Sequence, residues 1–144
     1  MTALASFVRA LTQSRFLRFS VVGGFGFVVD VSVFFLLHDL AQMSPYAARP
    51  ISILTAMVCT WFGNRTLTFS EHAAKGIGAI FIEWLKFAAT NSIGALFNYG
   101  TFAAIIAFAP HPFDNRYLAL VAGTAVGLVF NFTMSKRLVF RAAT

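Results

Sequence analysis

Asp30 lies inside an apolar run, residues 19–37, that reads FSVVGGFGFVVDVSVFFLL. A carboxylate near the centre of a bilayer costs about 2.5–3.5 kcal/mol on insertion scales. It is therefore expected to face other helices, protonated or hydrogen-bonded, with no basic residue at its depth. Two chemistries suit it: taking up and releasing a proton, or accepting hydrogen bonds from hydroxyl groups. A polar contact between helices, to Asn98, Asn91 or Thr90, accounts for it equally well. Asn91, Asn98 and Thr101 recur at spacings of three and seven, which keeps them near one helix face. Asn131 lies within another apolar run. Set against Asp30, these side chains would line a polar cavity. Interhelical hydrogen bonds worth about 0.6 kcal/mol each are the plainer account.

A second group is basic. Arg18, Arg65, Lys86, Lys136 and Arg137 fall at the ends of apolar runs. Such residues set topology and attract anionic headgroups. Arg65 and Lys136, beside Asn64 and Ser135, also have the chemistry for a lipid phosphate, because a guanidinium grips phosphate oxygens as a fork. No nucleophile–base pair, metal-ligand cluster or glycine-rich phosphate loop is visible. The one cysteine, Cys59, makes neither an intrachain disulfide nor a metal cluster. Neither enzymatic activity nor a cofactor is expected, and nucleic acid is not an expected partner.

Only a helix runs unpartnered through lipid, because each backbone N–H and C=O must be satisfied within its own segment. Four apolar segments, about 19–37, 47–65, 85–108 and 117–134, have the length that a bilayer core of about 30 Å requires. Of the 144 residues, 58% are hydrophobic and 11% charged, far below the roughly 25% charged of soluble domains. The fold class read from this is an all-α integral membrane protein with four transmembrane helices. Residues 1–18, with Arg9, Arg15 and Arg18 among apolar side chains, form a basic lead-in on the membrane surface. A second interfacial stretch, Ile77 to Leu85, leads into the third helix. Gly23, Gly24 and Gly26, with Ser20, offer a small-residue face to a neighbouring helix. Pro50 is placed in the first turn of the second helix, where a missing N–H is harmless. Nine lysines and arginines flank one side of the four spans, and two, Arg49 and Arg116, the other. That bias puts both termini and the middle loop in the cytoplasm.

The chain also repeats. Arg18-Phe19 and Lys86-Phe87 stand 68 residues apart, and the same offset takes Gly26 to Gly94 and Asp30 to Asn98. In the second half of each unit the offset is 71: Tyr46 meets Tyr117, Arg65 meets Lys136, Leu67 meets Leu138 and Phe69 meets Phe140. Each unit is a helical hairpin that starts and ends on the same side. The two are parallel repeats about an axis along the membrane normal.

Several short signatures come together in this order. They are a basic-Phe start, a glycine-rich first helix with an embedded acid, the closure Asn64-Arg65-Thr66-Leu67-Thr68-Phe69 preceded by Trp61, and a second closure from Asn131 through Ser135-Lys136-Arg137 to Phe140. Over residues 14–141 the chain resembles the GtrA-like family, small four-helix membrane proteins of bacterial cell-surface polysaccharide synthesis. The resemblance implies an inner-membrane protein that handles a polyprenyl-phosphate-linked sugar, with movement of that lipid across the membrane as its task. Some relatives are fused to polyprenyl-phosphate glycosyltransferases; here a separate glycosyltransferase would supply the substrate. Asn91 stands where the first repeat has Gly23, so the two halves can differ in role. Two other readings are a non-transporting membrane anchor for such an enzyme and a small-solute exporter of the four-helix multidrug type. Four short helices enclose little volume, so a glycolipid site calls for a homodimer or a partner protein.

Overall fold

The computed structural model describes residues 15–70 and 73–139, with side chains over 17–70 and 73–130. The lead-in before residue 15 lies outside the described residues, as does Phe140. The described chain is all helix: α1 (Arg15–Phe35) with a π-helical turn (Leu36–Leu40), α2 (Pro45–Gly63) with a second π-helical turn (Asn64–Thr68), α3 (Ile77–Phe108) and α4 (Arg116–Val139). Leu17–Leu40 and Ile77–Phe108 are each long and apolar enough to cross a bilayer, and α4 carries a shorter apolar stretch, Arg116–Phe130. Helix α2 falls short of that standard because it holds an arginine and several hydroxyl side chains, Arg49 and Ser52 of them fully buried.

Boundaries follow local chemistry. Ser44 caps α2, its hydroxyl accepting from the Ala47 N–H at 3.3 Å, and Pro45 opens the first turn. The helix thus starts two residues earlier than the hydrophobic run predicts, and Pro50 sits in the second turn instead of the first. There its ring removes a real helical donor and frees the carbonyl of Tyr46. The Tyr99 hydroxyl of α3 donates to that carbonyl at 3.3 Å, so a defect in one hairpin becomes a tie to the other. Helix α3 begins at Ile77 and runs unbroken, so the predicted interfacial stretch is its first two turns. The chain breaks at Gly76 instead, whose φ of 91° suits a residue without a Cβ.

The helices pack as two hairpins. In the first, Gly26 lies against Thr60, and Gly63 against Val22. In the second, Gly123 and Gly127 lie against the backbone carbonyls of Asn98 and Gly94, and Phe97 stacks on Phe130 with ring centroids 3.6 Å apart. The repeat predicted from sequence is visible in this packing. A Cβ on Gly26 would approach the Ala56 carbonyl, and one on Gly127 the Gly94 carbonyl; the two helix pairs match at offsets of 68 and 71. Of the three glycines in the predicted small-residue face, Gly26 lies at a helix contact, while Gly23 and Gly24 face open space. The hairpins join near their α1–α2 and α3–α4 loops, around buried Phe34, Ala48, Phe102, Ala119 and Leu120. Phe34 meets both Phe102 and Tyr117 edge-on across this junction.

Candidate functional site

The centre of the bundle is held by a residue that the sequence reading counts among the charges flanking the spans. Arg49 is fully buried and Asp30 is 4% exposed. Arg49 Nη1 lies 2.6 Å from Asp30 Oδ1 on α1 and donates to Ser52 Oγ on α2 at 3.1 Å. Its Nη2 donates to Asn98 Oδ1 on α3 at 2.7 Å and to Thr124 Oγ1 on α4 at 3.2 Å. The guanidinium also lies 5.5 Å from the Phe102 ring centroid. One planar cation thus takes an acceptor from each of the four helices. A guanidinium suits this role because its donors diverge in a fixed fork.

This corrects the sequence reading in one respect. Asp30 does not lack a basic partner. The packing of Val22 on Gly63 and of Gly26 on Thr60 places α1 and α2 antiparallel, with Asp30 roughly level with Ala56. Arg49 is seven residues from that level, about 10 Å along the helix at 1.5 Å per residue. Its backbone therefore lies near the loop while its charge lies deep, and a count by position misses it. The repeat explains the arrangement. Asp30 and Asn98 are equivalent positions and bind the two ends of the same guanidinium. The position equivalent to Arg49 is Leu120, also fully buried. With one cation for two acceptors, a single acid neutralises the site, and a neutral amide serves in the other repeat.

The remaining predicted cavity residues separate. Asn91 donates to the Phe87 carbonyl of its own helix at 2.8 Å, and Thr101 is half-buried on α3. The side chain of Asn131 lies outside those described. Asp30 and Asn98 are thus brought together, but against Arg49, with four of its five donors already used.

The basic ring also divides. Arg65 Nη1 pairs with Glu83 Oε2 at 2.6 Å, and its Nη2 donates to the Ala74 carbonyl at 2.5 Å. Trp61 Nε1 donates to Glu83 Oε1 at 3.1 Å, and the Arg65 guanidinium stands 5.9 Å from the Trp61 ring. The Ala74 N–H closes the cluster on Glu83 at 2.8 Å. Arg65 is therefore a clamp between the end of α2 and the start of α3, with both terminal nitrogens engaged within the protein. Glu83 was given no role by the sequence reading; its spacing of three from Lys86 on α3 gave no hint of a partner on α2. Arg18 donates to the Leu67 carbonyl at 3.0 Å and secures the π-helical turn that ends the first hairpin. Within that turn Asn64 is buried and accepts from Thr68 at 3.1 Å, while Phe69 is exposed. Lys86 is exposed; the side chains of Lys136 and Arg137 lie outside those described.

At the opposite end, the Tyr117 hydroxyl donates to Asp39 Oδ2, and His38 Nδ1 lies 2.7 Å from the Met43 carbonyl. An open groove between α1 and α4 is lined by Val31, Ser32, Phe35, Leu36 and Tyr117. Among the described residues, no group of three His, Cys, Asp or Glu side chains is placed to hold a metal.

No solved structure matches the chain. The family model for the GtrA/DPMS transmembrane domain matches residues 18–140, from the arginine that secures the first hairpin to the end of the second closure. That span contains both hairpins and every residue around Arg49, and the chain belongs to the GtrA/DPMS transmembrane-domain family.

Proposed function

We propose that this membrane protein moves a polyprenyl-phosphate-linked sugar across the bacterial cytoplasmic membrane, for synthesis or modification of a cell-surface polysaccharide. The observation that carries the reading is the buried Arg49–Asp30 pair shared by all four helices. A bundle that only anchors an enzyme has no need of it, since apolar residues packed in the same places are often as stable or more so. Ionisable groups inside a membrane bundle mark paths for charged cargo. Family membership ties the chain to lipid-linked sugars. The sugar lipid would come from a separate glycosyltransferase, and a second copy of the chain or that enzyme would complete the enclosure.

The second reading, a non-transporting partner of the glycosyltransferase, draws support from the closure of the polar cluster around Arg49. The exporter reading is weakened by the same pair, because an acid already neutralised by an arginine has little attraction for a lipophilic cation.

Transport is tested by flipping of a fluorescent polyprenyl-phosphate sugar in proteoliposomes. The chain is expected to flip it well above protein-free vesicles, and the paired variant Asp30→Asn/Arg49→Gln to lose this activity. Flipping by the unaltered chain no faster than in empty vesicles would overturn the reading in favour of the partner role.

Orientation is part of the same proposal. With Arg49 drawn into the bundle, Arg116 is the one lysine or arginine left on the α1–α2 and α3–α4 side, against nine on the other face. Four spans with both termini in the cytoplasm follow. Reporter fusions at Thr144 and at His111 should report opposite sides; the same side for both would reject it.

A further inference from the structure

Arg49 carries five N–H donors. Four are met by Asp30, Ser52, Asn98 and Thr124, and the fifth, on Nε, is buried and meets no acceptor. Of the four partners only Asp30 is an anion. A phosphodiester carries the same single charge and more acceptor oxygens, in the geometry that a guanidinium prefers. The open groove between α1 and α4 includes Val31, next to Asp30 in sequence, is mostly apolar and has a volume of about 540 Å³. It suits part of an isoprenoid tail whose phosphate reaches inward.

From this geometry we infer that Arg49 is the binding site for the phosphodiester of the lipid substrate, and that Asp30 holds the site as an internal anion that leaves by taking up a proton. The inference rests on the transport reading for the substrate class. In the exchange, the Arg49–Asp30 ion pair breaks, one proton from water joins the Asp30 carboxylate, and the guanidinium pairs with the phosphodiester. The buried charge is zero before and after, which avoids the several kcal/mol that an unpaired ion costs in the interior. The cytoplasmic arginines then serve topology and hairpin closure, not the phosphate.

Groups facing Asp30 are few. From α2 they are Arg49 and Ser52; α3 brings Asn98 and Phe102 to the guanidinium, and α4 brings Thr124. The titratable groups toward that end are His38, Asp39, Tyr46, Tyr99, His111, Asp114, Arg116 and Tyr117: His38 lies against the Met43 carbonyl, Tyr117 donates to Asp39, Tyr99 donates to the Tyr46 carbonyl, and His111 pairs with Asp114. Asp30 is the one carboxylate in contact with Arg49, and a pH slope that vanishes in Asp30→Asn separates it from the histidines.

The test is equilibrium binding of undecaprenyl-phosphate glucose to the full chain in nanodiscs. This probe keeps one negative charge between about pH 5 and 8, so any slope belongs to the protein. Affinity should rise as pH falls, by at most about tenfold per unit for one linked proton. Asp30→Asn should bind more tightly at neutral pH and without slope, and Asp30→Asn/Arg49→Gln should not bind. A flat profile for the unaltered chain, or binding retained by the paired variant, overturns the inference even if neither variant is well folded alone. Equal competition by inorganic phosphate or by phosphatidylglycerol would also overturn it, as a general anion or headgroup site. Binding with this pattern in a chain that does not flip the lipid would leave the site standing and remove the transport reading.

Discussion

Replacing Arg49 with Gln is expected to destabilise the bundle by about 3–5 kcal/mol, and replacing Asp30 with Asn by a similar amount, because each leaves the other charge buried and unpaired. The paired variant Asp30→Asn/Arg49→Gln should recover most of this loss. Both charges are then gone, and amides remain that can still bond to one another and to Asn98. Reversible unfolding in mixed micelles measures all three. The coupling between the two sites should be roughly 4 kcal/mol or more, beyond the usual range for contacting residues, because each single variant strands a buried charge. Additive single effects would mean that the 2.6 Å pair does not hold the helices together. Arg49→Lys separates charge from shape. An ammonium is a compact charge and cannot lie within reach of both Asp30 and Asn98 as the two ends of a guanidinium do. It should keep part of the coupling to Asp30 and lose the ties to α3 and α4, giving a loss between those of the unaltered chain and Arg49→Gln.

The reason Arg49 escaped the sequence reading is physical. Hydropathy places a residue by its backbone, and Arg49 has its backbone near a loop and its charge about one helical turn deeper, level with Ser52. The clue lay in Asp30 itself. A buried acid needs a donor, and Arg49 and Arg116 were the bases on the side of the membrane nearer to it. Of these, Arg49 falls inside the second apolar run, 47–65, while Arg116 stands before the fourth. The glutamate clamp was hidden for a different reason. Glu83 and Arg65 are 18 residues apart across a loop, and their pairing depends on α3 beginning at Ile77, well before the apolar run that starts near residue 85.

Much else was legible because lipid leaves a chain few choices. The four helices lie over the predicted apolar runs to within a few residues at most ends, since backbone polar groups in such runs must be satisfied locally. The two-hairpin repeat was legible too. Its signal lies in small residues at helix contacts and in polar residues at equivalent depths, and both are conditions of packing. The pairing of Asp30 with Asn98 at one guanidinium follows from that repeat, though the guanidinium had to be seen.

The second large effect concerns the glycine seam of the second hairpin. A Cβ on Gly123 would stand 2.5 Å from the Asn98 backbone carbonyl oxygen and 2.9 Å from Asn98 Oδ1; one on Gly127 would stand 2.8 Å from the Gly94 carbonyl oxygen. A backbone carbonyl within a helix cannot turn away as a side chain can, so α3 and α4 must separate. Gly123→Ala and Gly127→Ala should each destabilise by about 1–3 kcal/mol, the usual range for overpacking. Gly23→Ala and Gly24→Ala meet nothing within 4 Å and should instead be neutral or stabilising by up to about 1 kcal/mol, the helix preference of alanine over glycine. Opposite signs in one chain distinguish packing from a general intolerance of substitution. Gly123 carries a further consequence. It occupies the place equivalent to Ser52, and the Asn98 Oδ1 it would crowd is the oxygen that receives Arg49 Nη2. Gly123→Ala should therefore also weaken the Arg49 site. In the Asp30→Asn background, where Asn98 is the remaining repeat-equivalent acceptor held at full strength, its effect should exceed the simple sum. Unfolding of the four single variants and of Asp30→Asn/Gly123→Ala in micelles decides it. Equal, small effects at all four glycines would show that the hairpin seam tolerates a methyl group and that close approach of α3 and α4 does not set the geometry around Arg49.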